Sequence, residues 1–164
     1  MSLAETIQRY RAFGPPRQVG ADDACVQACE VAGPADRAEI IESWHGADIP
    51  PDVAELWAQC REARLFVDVV YGQWGLALLS PAVSAEQTTL QRRLREIDFQ
   101  VGDVVIGKFI GDQELLVVAP AETGARRVMV ALEMDPRADW PGVGPNVGDF
   151  LAGYWEHSGE KYWQ

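Results

Sequence analysis

Three thiols and a scatter of carboxylates are the residues in this chain whose types could do chemistry. Cys25 and Cys29 stand four apart and would share one face of a helix, with Cys60 as a further thiolate. A structural zinc site needs four tetrahedral ligands, with close cysteine pairs at C-x₂₋₄-C spacing. No second pair exists, and His45 and His157 are isolated, so core cysteines are expected and no metal. Asp98, Asp103, Asp112 and Glu114 surround one β-rich stretch. Paired carboxylates do acid–base work when their surroundings push their pKa values apart. These flank turns, so solvated loop ends are the expectation. The glycines of Gly142–Gly148 lack the G-x-G-x-x-G spacing of a dinucleotide loop, and Pro145 removes an amide that a phosphate would use. A helix-entry loop is expected there. Neither catalysis nor a cofactor is expected.

Binding is the better-supported chemistry. The 164 residues hold 25 acids against 14 bases, a formal charge of −11, with the excess in both halves of the chain. That opposes nonspecific nucleic-acid binding, which needs cations to displace counterions, and is compatible with a basic protein partner. Asp103, Asp112, Glu114, Asp135 and Asp139 are placed around sheet-edge loops. Trp140, in a Pro/Gly loop, and Trp163, in the tail, complete the candidate partner surface, because exposed tryptophans are favoured anchors. Burial is the expectation for Trp140; for Trp163 a packed lid and an exposed anchor both stand. No stretch approaches the roughly 18 apolar residues that span a membrane. Three cysteines suit a reducing compartment, and no basic region precedes an apolar run at the N-terminus, so a cytoplasmic protein is expected.

The elements that must position these residues centre on Phe99–Ala119. Two β-rich runs, Val101–Ile110 and Leu115–Ala119, flank Gly111-Asp112, which predicts a hairpin. With those two as central turn residues, Ile106 faces Val117 and Val105 faces Val118. Apolar pairs then fall on both faces, as in a sheet covered on each side. Upstream, Ser2 and Glu5 form a capping box ahead of Leu3, Ile7 and Tyr10, although the first 20 residues could be an arm. A second helix is predicted from Asp22 or Asp23 to Ala32, and a third through Ile40, Ile41 and Trp44. Asp52 and Glu55 suggest a capping box for a helix burying Val53, Leu56, Trp57 and Cys60. Leu65–Tyr71 and Trp74–Leu79 read as strands. Ser84 and Gln87 suggest a cap for a helix with Leu90, Leu94 and Ile97 inward and Arg92, Arg93 and Arg95 outward. A strand over Arg127–Glu133, a loop over Asp135–Gly144 and a helix opened by Asn146 with Asp149 at its third position follow. The prediction is an α+β fold in one domain: N-terminal helices, a central, mainly antiparallel sheet and a C-terminal helix.

Several pieces, in this order, resemble the SMI1/KNR4, or SUKH, superfamily. They are I-P-P-D at Ile49–Asp52, the Gly72/Gly75 strands, V-V-I-G at Val104–Gly107 and G-D-Q-E-L-L-V-V at Gly111–Val118. The strand, the Trp140 loop and the helix with Phe150-Leu151 complete the pattern, which covers roughly residues 49–157, leaving residues 1–48 as an N-terminal helical extension. The chain continues through Ala63-Arg64 where the family usually has Asn-Gly. The resemblance implies a non-catalytic protein-binding module. Many bacterial members look like immunity proteins that neutralise a toxin, often a nuclease; fungal members resemble regulators working through protein contacts. An immunity protein with a basic toxin partner is the first expectation, and a regulatory or scaffold protein with a non-toxin partner the alternative.

Overall fold

A computed structural model describes residues 1–20 and 25–164. Its helices and strands are, in order, α1 (Leu3–Phe13), β1 (Arg17–Gln18), β2 (Val26–Val31), α2 (Arg37–Trp44), α3 (Pro51–Gln59), β3 (Ala63–Asp68), β4 (Leu76–Leu78), α4 (Pro81–Leu94), β5 (Val104–Phe109), β6 (Leu115–Val118), β7 (Val128–Ala131), β8 (Gly142–Gly144) and α5 (Val147–Glu156). The eight strands form one antiparallel sheet in sequential order, β1 to β8, so the fold is α+β. No helix among the described residues is long and apolar enough to cross a membrane.

Alternation along β5, β6 and β7 builds two cores. Val104, Ile106, Leu116, Val118, Val128 and Val130 point to the face covered by α1, α3 and α5. Val105, Leu115, Val117, Met129 and Ala131 point to the other, where Phe99 and Trp140 pack. A strand buried on both faces must be apolar at successive positions, which is why these strands read as continuous Val/Leu runs. Near the turn the pairing is the predicted one, with Gly107 opposite Leu116 and Lys108 opposite Leu115. Beyond Ile106 it shifts by one, so that Val105 faces Val117 and Val104 faces Val118. A bulge inserts one residue into one strand and produces this slip.

The capping box at Ser2 and Glu5 is formed, and α1 is not an arm. Leu3, Ile7, Tyr10 and Phe13 are buried, and the Tyr10 hydroxyl donates to the Leu151 carbonyl at 2.8 Å. Each buried apolar side chain of this size contributes about 1.5–3 kcal/mol, so the N-terminal stretch is part of the core. The predicted second helix is a correction. Its suggested start at Asp22 or Asp23 lies outside the described residues, and Val26–Val31 is the strand β2, paired with β3. The apolar stripe such a helix would bury, Cys25, Ala28, Cys29 and Ala32, is too little apolar surface to hold a helix against the pairing a neighbouring strand supplies.

Two helix starts also differ from the reading. Pro50, not Asp52, occupies the N-cap of α3, and Ser80, not Ser84, caps α4 through the Val83 amide. Leu94 and Ile97 are exposed, 65% and 92%, and α4 turns Ser84 and Thr88 inward instead. The reason lies in the sheet. β4 ends at Leu78, which leaves the amide and carbonyl of Val105 without a strand partner on that side. Thr88 Oγ1 accepts from the Val105 amide and Ser84 Oγ donates to its carbonyl. A buried backbone pair must be satisfied, so hydroxyls outrank leucines at these positions.

Gly111 joins the two loops that matter for the site. Its φ is +90°, and a Cβ there would lie 2.0 Å from the Gln73 carbonyl oxygen. Gly124 has a similar φ of +79°, with nothing among the described residues within 4 Å of its Cβ position. Gly111→Ala should therefore lose the left-handed cost of about 1–2 kcal/mol plus an overpacking cost of about 1–3 kcal/mol, whereas Gly124→Ala should lose only the first. Urea unfolding of the two variants separates the terms. Equal losses would contradict the close approach of Gly111 to Gln73.

Candidate functional site

Five of the seven residues singled out as a partner surface meet around one groove of about 570 Å³. Asp112 and Glu114 come from the β5–β6 hairpin, Asp135 and Asp139 from the loop after β7, and Trp163 from the tail. Glu133 and Met134 complete the rim, and Met134 is 89% exposed. The groove thus holds five carboxylates beside one protruding apolar side chain.

Asp103 and Trp140 do not reach that surface. The Asp103 side chain is wholly buried, receives Arg137 through both guanidinium nitrogens and accepts the Gln100 amide at 2.7 Å. Trp140 is also fully buried, edge-on to Phe99, with its indole N–H donating to the Asp135 carbonyl at 3.1 Å. Arg95 and Arg137 lie 5.2 and 5.4 Å from the Trp140 ring centre, within cation–π range. Arg95 also donates to the carbonyls of Leu132 and Asp135. These buried groups fix the loop that displays Asp135 and Asp139. The predicted outward basic cluster is corrected by the same contacts, since Arg95 and Arg92, the latter on the Asp103 carbonyl, are spent inside the molecule.

The other wall is the tail after α5, pinned by a side chain that sequence reasoning passed over. The Lys161 side chain is 5% exposed and donates to both Asp112 and Glu114. Its ammonium also lies 5.2 Å from the Phe109 ring centre and 5.8 Å from that of Trp74. Trp163 packs half-buried on Phe109 and Phe150, and the Tyr162 hydroxyl donates to the Val143 carbonyl. A lone lysine beside aromatics in a short tail was the available signal. Nothing in the sequence said which acids it would meet.

The thiols and the glycine loop take structural places. Cys29 and Cys60 are buried, and burial pushes both thiols up to about 11. Cys29 Sγ accepts the Phe66 amide, and Cys25 stands just before β2 rather than on a helix. Among the described residues no group of three His, Cys, Asp or Glu side chains is placed to hold a metal ion. Asn146 caps α5 through the Asp149 amide, as predicted. The first-turn amide of Val147, which an anion would use, is already bonded to Asp52. Burial raises the Asp52 carboxyl, but its paired bonds from Arg127 and the Val147 amide outweigh that and hold it below the usual range.

Compared with known proteins, the chain matches no family model and no curated protein.

The acids differ in role, and stability measurements should separate them. Asp103→Ala leaves Arg137 without its buried partner and should cost about 3–5 kcal/mol. Asp112 is 48% exposed, so Asp112→Asn should cost no more than about 1 kcal/mol. Chemical denaturation of both variants checks this. Comparable losses would overturn the division between a buried clamp and a surface groove.

Proposed function

We propose that this protein is a non-catalytic binding module that captures a basic protein partner, as an immunity protein neutralising a cognate toxin. The observation that carries the reading is the convergence of Asp112, Glu114, Glu133, Asp135 and Asp139 on one groove beside the exposed Met134. Complementary charge accelerates encounter, while tight holding comes from a few desolvated anchors. The ordered likeness to SMI1/KNR4 sequences supports the toxin as the class of partner, and a cytoplasmic site of action goes with it. The formal charge of −11 speaks against direct nucleic-acid contact. A regulatory or scaffold role draws on the N-terminal helices as a dimer surface or a second docking site. That motive is weakened because α1 packs against α5 in the core.

Co-expression with the products of neighbouring genes tests the proposal. A basic toxin should be captured and its toxicity suppressed; a full set of neighbours that neither bind nor are neutralised would remove the reading. With such a partner, the association rate should fall steeply between roughly 20 and 300 mM salt, as the Debye length shrinks from about 20 to about 6 Å. Asp139→Asn should slow association and lose only about 0.2–1 kcal/mol. A rate that stays flat across that salt range contradicts electrostatic steering.

A further inference from the structure

A second pocket of about 540 Å³ lies across the tail from the acidic groove, lined by Gln27, Asp68, Tyr71, Trp74, Glu160 and Lys161. Gln164 borders both cavities, so the two form one face divided by the tail. The floor is unusual. Gln27 is only 6% exposed, and among the described residues its buried side-chain oxygen has no hydrogen-bond partner. A buried acceptor left empty forfeits its hydration without recompense, so such a group calls for a donor from outside the fold.

We propose that this pocket binds a guanidinium group, an arginine side chain of the partner inserted between Tyr71 and Trp74 with Gln27 and the Asp68 and Glu160 carboxylates as acceptors. The site deepens the partner reading above and rests on it for the identity of the occupant. Tyr71 is 67% exposed at the β3–β4 loop, so its ring is open to a ligand. The Trp74 indole N–H is committed to the Gly159 carbonyl at 2.9 Å, which fixes the ring. Asp68 accepts the Val70 and Tyr71 amides through Oδ1 alone, and among the described residues Oδ2 has no partner. Glu160 makes no ion pair among the described residues. The Lys161 ammonium, 5.8 Å from the Trp74 ring centre, is shared by Asp112 and Glu114, so the lining side chains Asp68, Glu160 and Lys161 leave the pocket with a negative balance. Carboxylates exclude a phosphate. Two aromatic side chains beside carboxylate and amide acceptors suit a planar fork of five donors better than a compact ammonium.

The test titrates the full-length protein with Nα-acetyl-arginine amide and follows the Trp74 indole and Gln27 side-chain signals by NMR. Nα-acetyl-citrulline amide, a neutral near-isostere, and Nα-acetyl-lysine amide serve as comparisons. Saturable shifts confined to Gln27, residues 68–74 and the tail are expected, with the arginine amide about tenfold tighter than the citrulline amide. Asp68→Asn and Glu160→Gln should each weaken it by about threefold or more, while Glu86→Gln, at an exposed position on α4, should leave it unchanged. Glu160 is exposed, so its variant reports even if Asp68→Asn disturbs the loop. Equal affinity for the citrulline amide, equal affinity for the lysine amide, or absence of saturation would each overturn the assignment. A toxin domain that binds wild type and Glu160→Gln alike would also remove the pocket, yet leave partner capture standing. Arginine-amide binding in a protein for which no partner is found would uphold the pocket and fail the partner reading.

Discussion

The ammonium of Lys161 is withdrawn from water between two carboxylates and two aromatic rings, and the shape of the candidate surface depends on it. A nearly buried ammonium is costly unless paired, and Asp112 and Glu114 supply the pairing from the β5–β6 hairpin. The tail beyond α5 has no helix or strand to hold it. It stays on the sheet because Lys161 is tied to the hairpin, Tyr162 to the Val143 carbonyl, and Trp163 to Phe109 and Phe150. That short segment is the shared wall of both cavities. Remove the charge and Asp112 and Glu114 face each other without a cation, and only the Tyr162 and Trp163 contacts are left to hold the wall.

The rest of the molecule supplies a rigid platform for this contact. The sheet is packed on both faces, so the hairpin bearing Asp112 and Glu114 springs from strands that cannot shift without opening a core. The absent Cβ of Gly111 lets the hairpin touch the Gln73 backbone and brings the Tyr71–Trp74 loop alongside. On the far side, the Asp103–Arg137 pair and Trp140 hold the loop of Asp135 and Asp139. Recognition groups therefore sit on short loops held by buried polar clamps. Such placement limits the ordering cost on binding.

Much of this was legible in the sequence, for identifiable reasons. The Gly111-Asp112 turn between Val-rich runs, the Ser2 capping box and the Asn146 cap are local signals, and local physics decides them. The gathering of Asp112, Glu114, Asp135 and Asp139 followed from placing acids at the ends of predicted strands, whereas Trp163 reaches them only through the fold of the tail. What escaped was decided by contacts distant in sequence. Ala28 and Cys29 suit helix or strand, and pairing with β3 settled it. Ser84 and Thr88 turn inward because Val105 lacks a neighbour there. Asp103 belongs to Arg137, 34 residues away, and not to solvent. Gln27 could not be seen as a pocket floor while its segment read as a helix.

Amide hydrogen exchange of the full-length protein carrying Lys161→Met measures the central dependence directly, since methionine keeps the apolar length and removes the charge. Exchange should quicken in residues 160–164, in the hairpin around 111–114 and in the loop at 71–74, while β5, β6 and β7 keep their protection. An unchanged pattern would show that the ammonium does not hold the wall, and a loosening spread across the sheet would show that it does more than shape this face.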